Sequence, residues 1–416
     1  MFPRFQSRLS GLFWAGAVLI PLIGTWAFAA GPKAYVGNFK DNTVSVIDTD
    51  ARKVIATIPV ATGPHGMAIT QDGRTVYVSG DGSSSVDVID TAVDKVVKTI
   101  DVGKAPNGLA LTPDNRLLLV TVYGDNRIDF IDTSTQTVVG TTAVPKPHTV
   151  AISPDGKLAY VTVQEPGHFG LALIDLTTRS IVRTVALDKT PRDGEFGYDG
   201  KRFYFTQAGV SAVEVLDPAS DKIVAEIPTG VSPHYVGYPR GSAFGVVVVQ
   251  GPGELLLFDP ATNKPVRSVA VGKQPHWATT SGDAKKAYVT NEGSNDLTIV
   301  DLASGETTSV AVGNAPRKVV IQGTVKKTAS SGAKVSIINF AFAPAQVTIA
   351  SGESVTWTND DGAPHGLEYQ DGGKGTDLLL PGESFSRKFD RPGIYDYNCS
   401  VHPYMTGRVV VLAGNT

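Results

Sequence analysis

Residues 286–301, KAYVTNEGSNDLTIVD, hold two short runs of β-branched and aromatic residues on either side of the turn-forming Gly293, Ser294 and Asn295. Residues 33–48, KAYVGNFKDNTVSVID, have the same form. Between them the pattern recurs: a strand like Ala-Tyr-Val, a second strand ending in Asp, a third rich in Val, then Gly-x-x-Pro and a fourth strand. The Asp marks the period, falling at Asp48, Asp90, Asp132, Asp175, Asp217, Asp259 and Asp301 in steps of 42 or 43 residues. Seven repeats of four short strands predict an all-β fold, a seven-bladed β-propeller, because one blade buries its faces only against its neighbours. The chain enters at Ala34-Tyr35-Val36, the second strand of a blade, and the last repeat ends on an innermost strand, Lys318-Val319-Val320-Ile321. That strand is expected to complete the first blade and leave no free sheet edge at the seam.

The composition suits many turns and short strands. There are 44 Gly and 26 Pro in 416 residues, against usual shares of about 7% and about 5%, and 19% charged residues against about 25%. A net charge of −3 gives a polyanion little to hold, so no nucleic-acid partner is expected. Cys399 is the only cysteine. It excludes an internal disulfide, a CxxC zinc knuckle, a four-thiolate iron–sulfur cluster, a CxxCH haem attachment and a dinuclear copper centre bridged by two thiolates.

At the N-terminus Arg4 and Arg8 precede an uncharged, almost wholly apolar run from Gly11 to Ala30, and Ala27-Phe28-Ala29 has the small-x-small form that signal peptidase reads. Residues 1–30 therefore read as a signal peptide, and the remainder as exported to the bacterial periplasm. Left uncleaved, the same run would anchor the protein in a membrane. Residues 31–322 carry the repeat. Residues 323–333, GTVKKTASSGA, break it and read as a small, polar linker.

Residues 334–416 alternate as half-buried strands do, at Val335-Ser336-Ile337, Val347-Thr348-Ile349, Val355-Thr356-Trp357, Tyr395-Asp396-Tyr397 and Val409-Val410-Val411, and predict a small β-sandwich. Within it stand His365, Cys399, His402 and Met405. A thiolate, two imidazoles and a thioether are the ligand set of a blue-copper site. One His arrives on an early strand, and the other three residues share the loop Cys399-Ser400-Val401-His402-Pro403-Tyr404-Met405, which can wrap a single ion.

Two resemblances rest on these motifs. Through Lys33–Asn38 and Lys286–Asn291, residues 33–322 resemble the YVTN family of seven-bladed propellers, which implies a fold and no activity. Through the Cys-x-x-His-x-x-Met loop, Pro364-His365 and Gly393-x-Tyr395-x-Tyr397-x-Cys399, the C-terminal domain resembles the cupredoxins, in their amicyanin and plastocyanin branch. That resemblance implies one blue copper held by His365, Cys399, His402 and Met405, exchanging single electrons through the imidazole edge of His402 beside Pro403 and Tyr404. The chain departs from the family at Gly366, where cupredoxins usually place an Asn that braces the ligand loop. The domain order is similar to that of nitrous-oxide reductase, whose activity is not carried over, since the site here is mononuclear.

The five remaining His map to one propeller face. His65, His148, His234 and His276 share one register, directly after the Pro that opens the innermost strand, and Asn107, Arg192 and Arg317 fill that register in the other repeats. His168 lies in an insertion expected on the same face. Two readings stand for this ring around the axis. It is a polar channel lining, or it is a second site for copper or another transition metal, with His168 as a lid or extra ligand and Arg192 and Arg317 as anion contacts. The expected function is accordingly single-electron transfer with a periplasmic redox partner, a cytochrome or dehydrogenase, for which the propeller is the docking scaffold. The alternative is a copper oxidoreductase whose propeller axis holds a second metal or a substrate.

Overall fold

The computed structural model describes residues 32–239, 242–322, 333–338, 340–370, 372–373 and 375–412. The expected signal peptide and nearly all of the expected linker lie outside the described residues. From 32 to 322 the chain folds into seven four-stranded antiparallel sheets, the blades of a propeller. One blade runs from the axis outward as Pro64–Ile69, Thr75–Gly80, Ser85–Asp90 and Lys95–Asp101.

The ring closes as its phase predicts. Lys33–Asn38 pairs on one side with Thr43–Asp48 and on the other with Pro316–Ile321, in the register Ala34↔Ile321, Tyr35↔Val320 and Val36↔Val319. The two middle strands of each blade are buried on both faces, which is why they read as unbroken Val, Ile, Leu and Tyr runs rather than alternating ones. The outermost strands, such as Lys53–Pro59, are mostly exposed.

The repeated residues have structural tasks. The Asp that marks the period accepts backbone N–H bonds from the turn to the outermost strand: Asp48 from Asp50 and Ala51 at 3.0 and 2.8 Å, and Asp132, Asp175 and Asp301 likewise. It is an Asx turn, repeated. The hydroxyl near the end of the second strand ties one blade to the next. Thr121 accepts the Gly108 N–H of its own blade (2.6 Å) and donates to the His148 carbonyl of the following blade (2.8 Å). Ser79 and Thr290 repeat the bridge, from Gly66 to Asn107 and from Trp277 to Arg317.

These bridges meet a bulge. In all seven innermost strands the pairing register slips just after the leading Pro, at the ring position. A bulge re-aims a side chain, and here the same one in every blade.

The C-terminal domain is a two-sheet sandwich. One sheet orders Ala341–Ala343, Ala333–Ile338, Glu353–Asn359 and Ser384–Phe389, so its first strand begins at Ala333, within the expected linker. The other orders Gln346–Ala350, Thr406–Leu412, Gly393–Asn398, His365–Tyr369 and Thr376–Leu379. Trp357 and Tyr397 meet edge to face in the core at 5.4 Å, with Phe342 and Phe389 packed around them.

The blade-to-blade hydroxyl carries a testable cost. Thr121 is fully buried, so Thr121→Val strands the Gly108 N–H and the His148 carbonyl without partners. The expected loss is about 1–3 kcal/mol, seen as a lower urea midpoint of the propeller transition, and Thr121→Ser should recover most of it.

Candidate metal centre

Three neighbouring strands of the second sheet bring the expected ligands together. His365 opens His365–Tyr369, which pairs with Gly393–Asn398 through Glu368↔Asn398 and Tyr369↔Tyr397. Gly393–Asn398 ends directly before Cys399 and pairs with Thr406–Leu412 through Asn398↔Thr406. Residues 399–405 are thus a hairpin loop. Inside it the Cys399 N–H donates to the Met405 carbonyl (3.0 Å) and the Met405 N–H to the His402 carbonyl (2.9 Å). The loop folds onto itself, so its three ligands have little freedom.

The Cys399 Sγ lies 3.6 Å from Nδ1 of His365 and 3.7 Å from Nδ1 of His402, and the two imidazole centres are 5.0 Å apart. Two ligand atoms bound to one ion at about 2.0–2.3 Å, with an open angle between them, stand about 3.5 Å apart. The spacing fits a single ion. Cys399 and His365 are fully buried, His402 is half-buried, and Met405 is buried in the same core cluster as Cys399. The donor set suits copper.

Bracing of this site was not read from the sequence. The Nε2 of His365 donates to an oxygen of Asp361 (3.1 Å), which also accepts the Phe340 N–H (2.8 Å). A carboxylate accepts, so Nε2 carries the proton and the Nδ1 lone pair faces Cys399. Asn359, fully buried, donates to the carbonyls of Ala363 and Leu379 at 2.8 Å and accepts the Asp361 N–H at 3.0 Å. At Gly366 the backbone does the bracing, its carbonyl accepting the Ser400 N–H at 3.3 Å. The polar triplet Asn359-Asp360-Asp361 closing a core strand was the available signal.

On the propeller, His65, His148, His234 and His276 line one axial cavity of about 20 Å³ together with Arg192. Imidazole centres are 5.7 Å apart for His65 and His148, 6.0 Å for His65 and His276, and 4.2 Å for His234 and His276. Burial holds His148 down to about 4 and His234 down to about 3, and both His65 and His276 well below the ordinary imidazole value, neighbouring imidazoles adding to the effect in the last two. His168, expected as a lid or extra ligand, and Arg317 do not line this cavity. His168 is exposed, carried outward by a turn in which its N–H donates to the Glu165 carbonyl. Arg317 lays its guanidinium on Phe39 (3.5 Å) and against Glu292 (3.3 Å). Among the described residues, His365, Cys399 and His402 are the one group of three whose ligand atoms all lie within 4.8 Å of one another.

The fold and this site define a β-propeller joined to a mononuclear cupredoxin. Residues 329–412 match the model of copper binding proteins of the plastocyanin/azurin family, and residues 18–116 match that of YNCE-like β-propellers. Amicyanin-alpha of Methylorubrum extorquens is 37% identical over 92 residues, which cover 21% of this chain and 77% of the amicyanin. Plastocyanin of Scenedesmus fuscus is 41% identical over 90 residues, 19% of this chain and 86% of the plastocyanin. Through its C-terminal domain the chain belongs to the plastocyanin/azurin family of copper-binding proteins. The propeller has the fold of a hydrazine synthase chain from Kuenenia stuttgartiensis (TM-score 0.61, 22% identity, 68% of this chain and 99% of that one). It is also that of the dihydro-heme d1 dehydrogenase NirN (TM-score 0.57, 19% identity, 71% and 76%).

Copper-loaded protein should show an intense visible band from the thiolate–copper bond. Cys399→Ala should abolish it in a chain that keeps its far-ultraviolet dichroism, and a band that survives would assign the colour to another site.

Proposed function

We propose that the protein is an exported, periplasmic electron carrier whose copper exchanges single electrons through His402. The carrying observation is the asymmetry of the ligand shell: Cys399 and His365 are sealed in the core, while the half-buried His402 stands among exposed apolar side chains. Val401 is 44% exposed and Tyr404 is 70% exposed, and Phe340 meets the His402 ring edge-on at 5.1 Å. An apolar rim around one ligand lets a partner approach the metal closely and shed water as it does so.

Copper held by two imidazoles, a thiolate and a thioether supplies a one-electron couple. The chain's own residues do the rest. Asp361 fixes the tautomer and tilt of His365, the loop's internal hydrogen bonds hold Cys399 and Met405 in register, and the core around Trp357 keeps water from the thiolate. A preset shell of this kind has little to rearrange when the charge on the ion changes. The propeller, which lies outside the span matched to the amicyanins and plastocyanins, is the docking scaffold for a redox protein, a cytochrome or a dehydrogenase.

Tyr404→Glu places a charge in the apolar rim and touches no ligand bond. Its second-order exchange with a soluble c-type cytochrome should slow by roughly tenfold while the visible band stays intact. Parallel loss of colour and rate would show a broken ligand loop instead. For export, protein recovered from the periplasmic fraction should begin near Gly31 by mass spectrometry. A full-length chain retained in the cytoplasm would overturn that part of the reading.

A further inference from the structure

The axial imidazoles are arranged as ligands are, and the arrangement can be read from their tautomers. The Nδ1 of His148 lies 3.1 Å from the Arg192 carbonyl, and the Nδ1 of His276 lies 3.2 Å from the Arg317 carbonyl. A carbonyl only accepts, so both Nδ1 atoms carry the proton and both Nε2 atoms keep their lone pairs. A ring fixed by an Nδ1–H···O=C bond with a free Nε2 is the usual posture of a metal-binding histidine. Each is fixed by the bulge carbonyl of the following blade, so the ring orients itself.

The other two members fill the space between. His65 packs edge-on against both His148 and His276. His234 lies 4.2 Å from His276 and lines the same cavity. The copper ligands His365 and His402 provide a yardstick within the same chain: their ring centres are 5.0 Å apart, and the axial pairs at 4.2, 5.7 and 6.0 Å bracket that value. The cavity they share, about 20 Å³, has room for one water-sized occupant.

We propose that His65, His148, His234 and His276 bind a second transition-metal ion on the propeller axis. Imidazole-only ligation suits copper and zinc, and among divalent ions of the first row Cu²⁺ binds such sites most tightly. The imidazoles are already neutral at physiological pH, so an ion displaces no proton from them. Among the described residues the four rings do not form the close group that Cys399 makes with its two His, so binding an ion requires His65 and His234 to turn toward the free Nε2 atoms of His148 and His276. Lys318, which also borders the cavity, lies near the carboxyl groups of Asp193 and Glu195, which favour its charged form against burial. The inference is independent of the electron-transfer reading, because none of these residues touches the cupredoxin loop ligands.

The test counts metal in the full chain. Protein loaded with Cu²⁺, and separately with Zn²⁺, is passed over a weak chelator and analysed for metal per chain. Two copper ions are expected, with a second paramagnetic resonance signal of the wide hyperfine splitting that nitrogen ligation without thiolate produces, beside the blue one. The double variant H234A/H276A should fall to one copper with its blue band unchanged. One ion per chain in the wild type overturns the proposal, as does a second ion that survives the double variant, which would then be a surface adduct. If the double variant fails to fold, the triple variant H365A/C399A/H402A, which removes every nitrogen and sulfur donor of the cupredoxin site but Met405, decides: it should keep one nitrogen-ligated copper, and a chain holding none sinks the idea. Loss of the blue band alone would count against the cupredoxin assignment and leave the axial site standing.

Discussion

The propeller depends on one pairing, that of Lys33–Asn38 with Pro316–Ile321 across nearly the whole repeat. Each blade buries its faces only against the next, so a ring with an open seam would expose two such faces and two rows of unpaired backbone groups. Closing it costs little more chain entropy than a loop half as long, because that cost grows only with the logarithm of length. Against that small cost, closure buries a complete blade-to-blade interface. Once the ring is closed, its innermost strands have a fixed spacing around the axis, and whatever residue occupies the bulge is delivered there seven times over. The axial cavity is a consequence of the closure and of the Ser and Thr hydroxyls that tie each bulge to its neighbour.

The cupredoxin domain reaches convergence by the opposite route. Its ligands are close in sequence or on adjacent strands, and the hairpin pair Asn398↔Thr406 sets the span that the ligand loop must cross. Long-range order enters only through His365, whose strand is held by Tyr369↔Tyr397 and whose loop is pinned by Asn359. Asn359 thus braces the approach to the first ligand, where Gly366 has no side chain to do so. The aromatic cluster of Trp357, Tyr369, Phe389 and Tyr397 gives the sheet under the site a rigid floor.

The sequence made these two architectures legible to different depths. The period of 42 residues exposed the propeller, its phase exposed the closure, and four rare side chains exposed the copper ligands, because each of these is carried by residue identity at a fixed spacing. The bulges were not legible, since a register slip depends on which backbone groups pair and leaves no spacing of its own. Nor were Asp361 and Asn359, which act through contacts set by loop geometry. The exposure of His168 is of the same kind: it sits in a turn closed by the Glu165 carbonyl, and a repeat alignment records only which strands it lies between.

A repeat protein contains its own controls, and comparison among the blades separates packing from purpose. After the ring residue the innermost strands carry Gly66, Gly108 and Thr149 in three blades, small residues that suffice for closure, and Tyr235 and Trp277 in two others pack into the core, so the charged residues of the remaining two are not demanded by the fold. The strand Pro191–Phe196 instead carries Arg192, Asp193 and Glu195, and Pro316–Ile321 carries Arg317 and Lys318. Burial pushes both carboxyls up and the Lys318 ammonium down, a standing cost that paired charges only partly offset. Sites that break a local rule at a cost in stability are where function concentrates in otherwise consistent sequences. The charged strands flank the same cavity as the imidazoles, so two departures from the repeat, one in the ring and one beneath it, converge on a single point of the axis while the outer strands keep the rule.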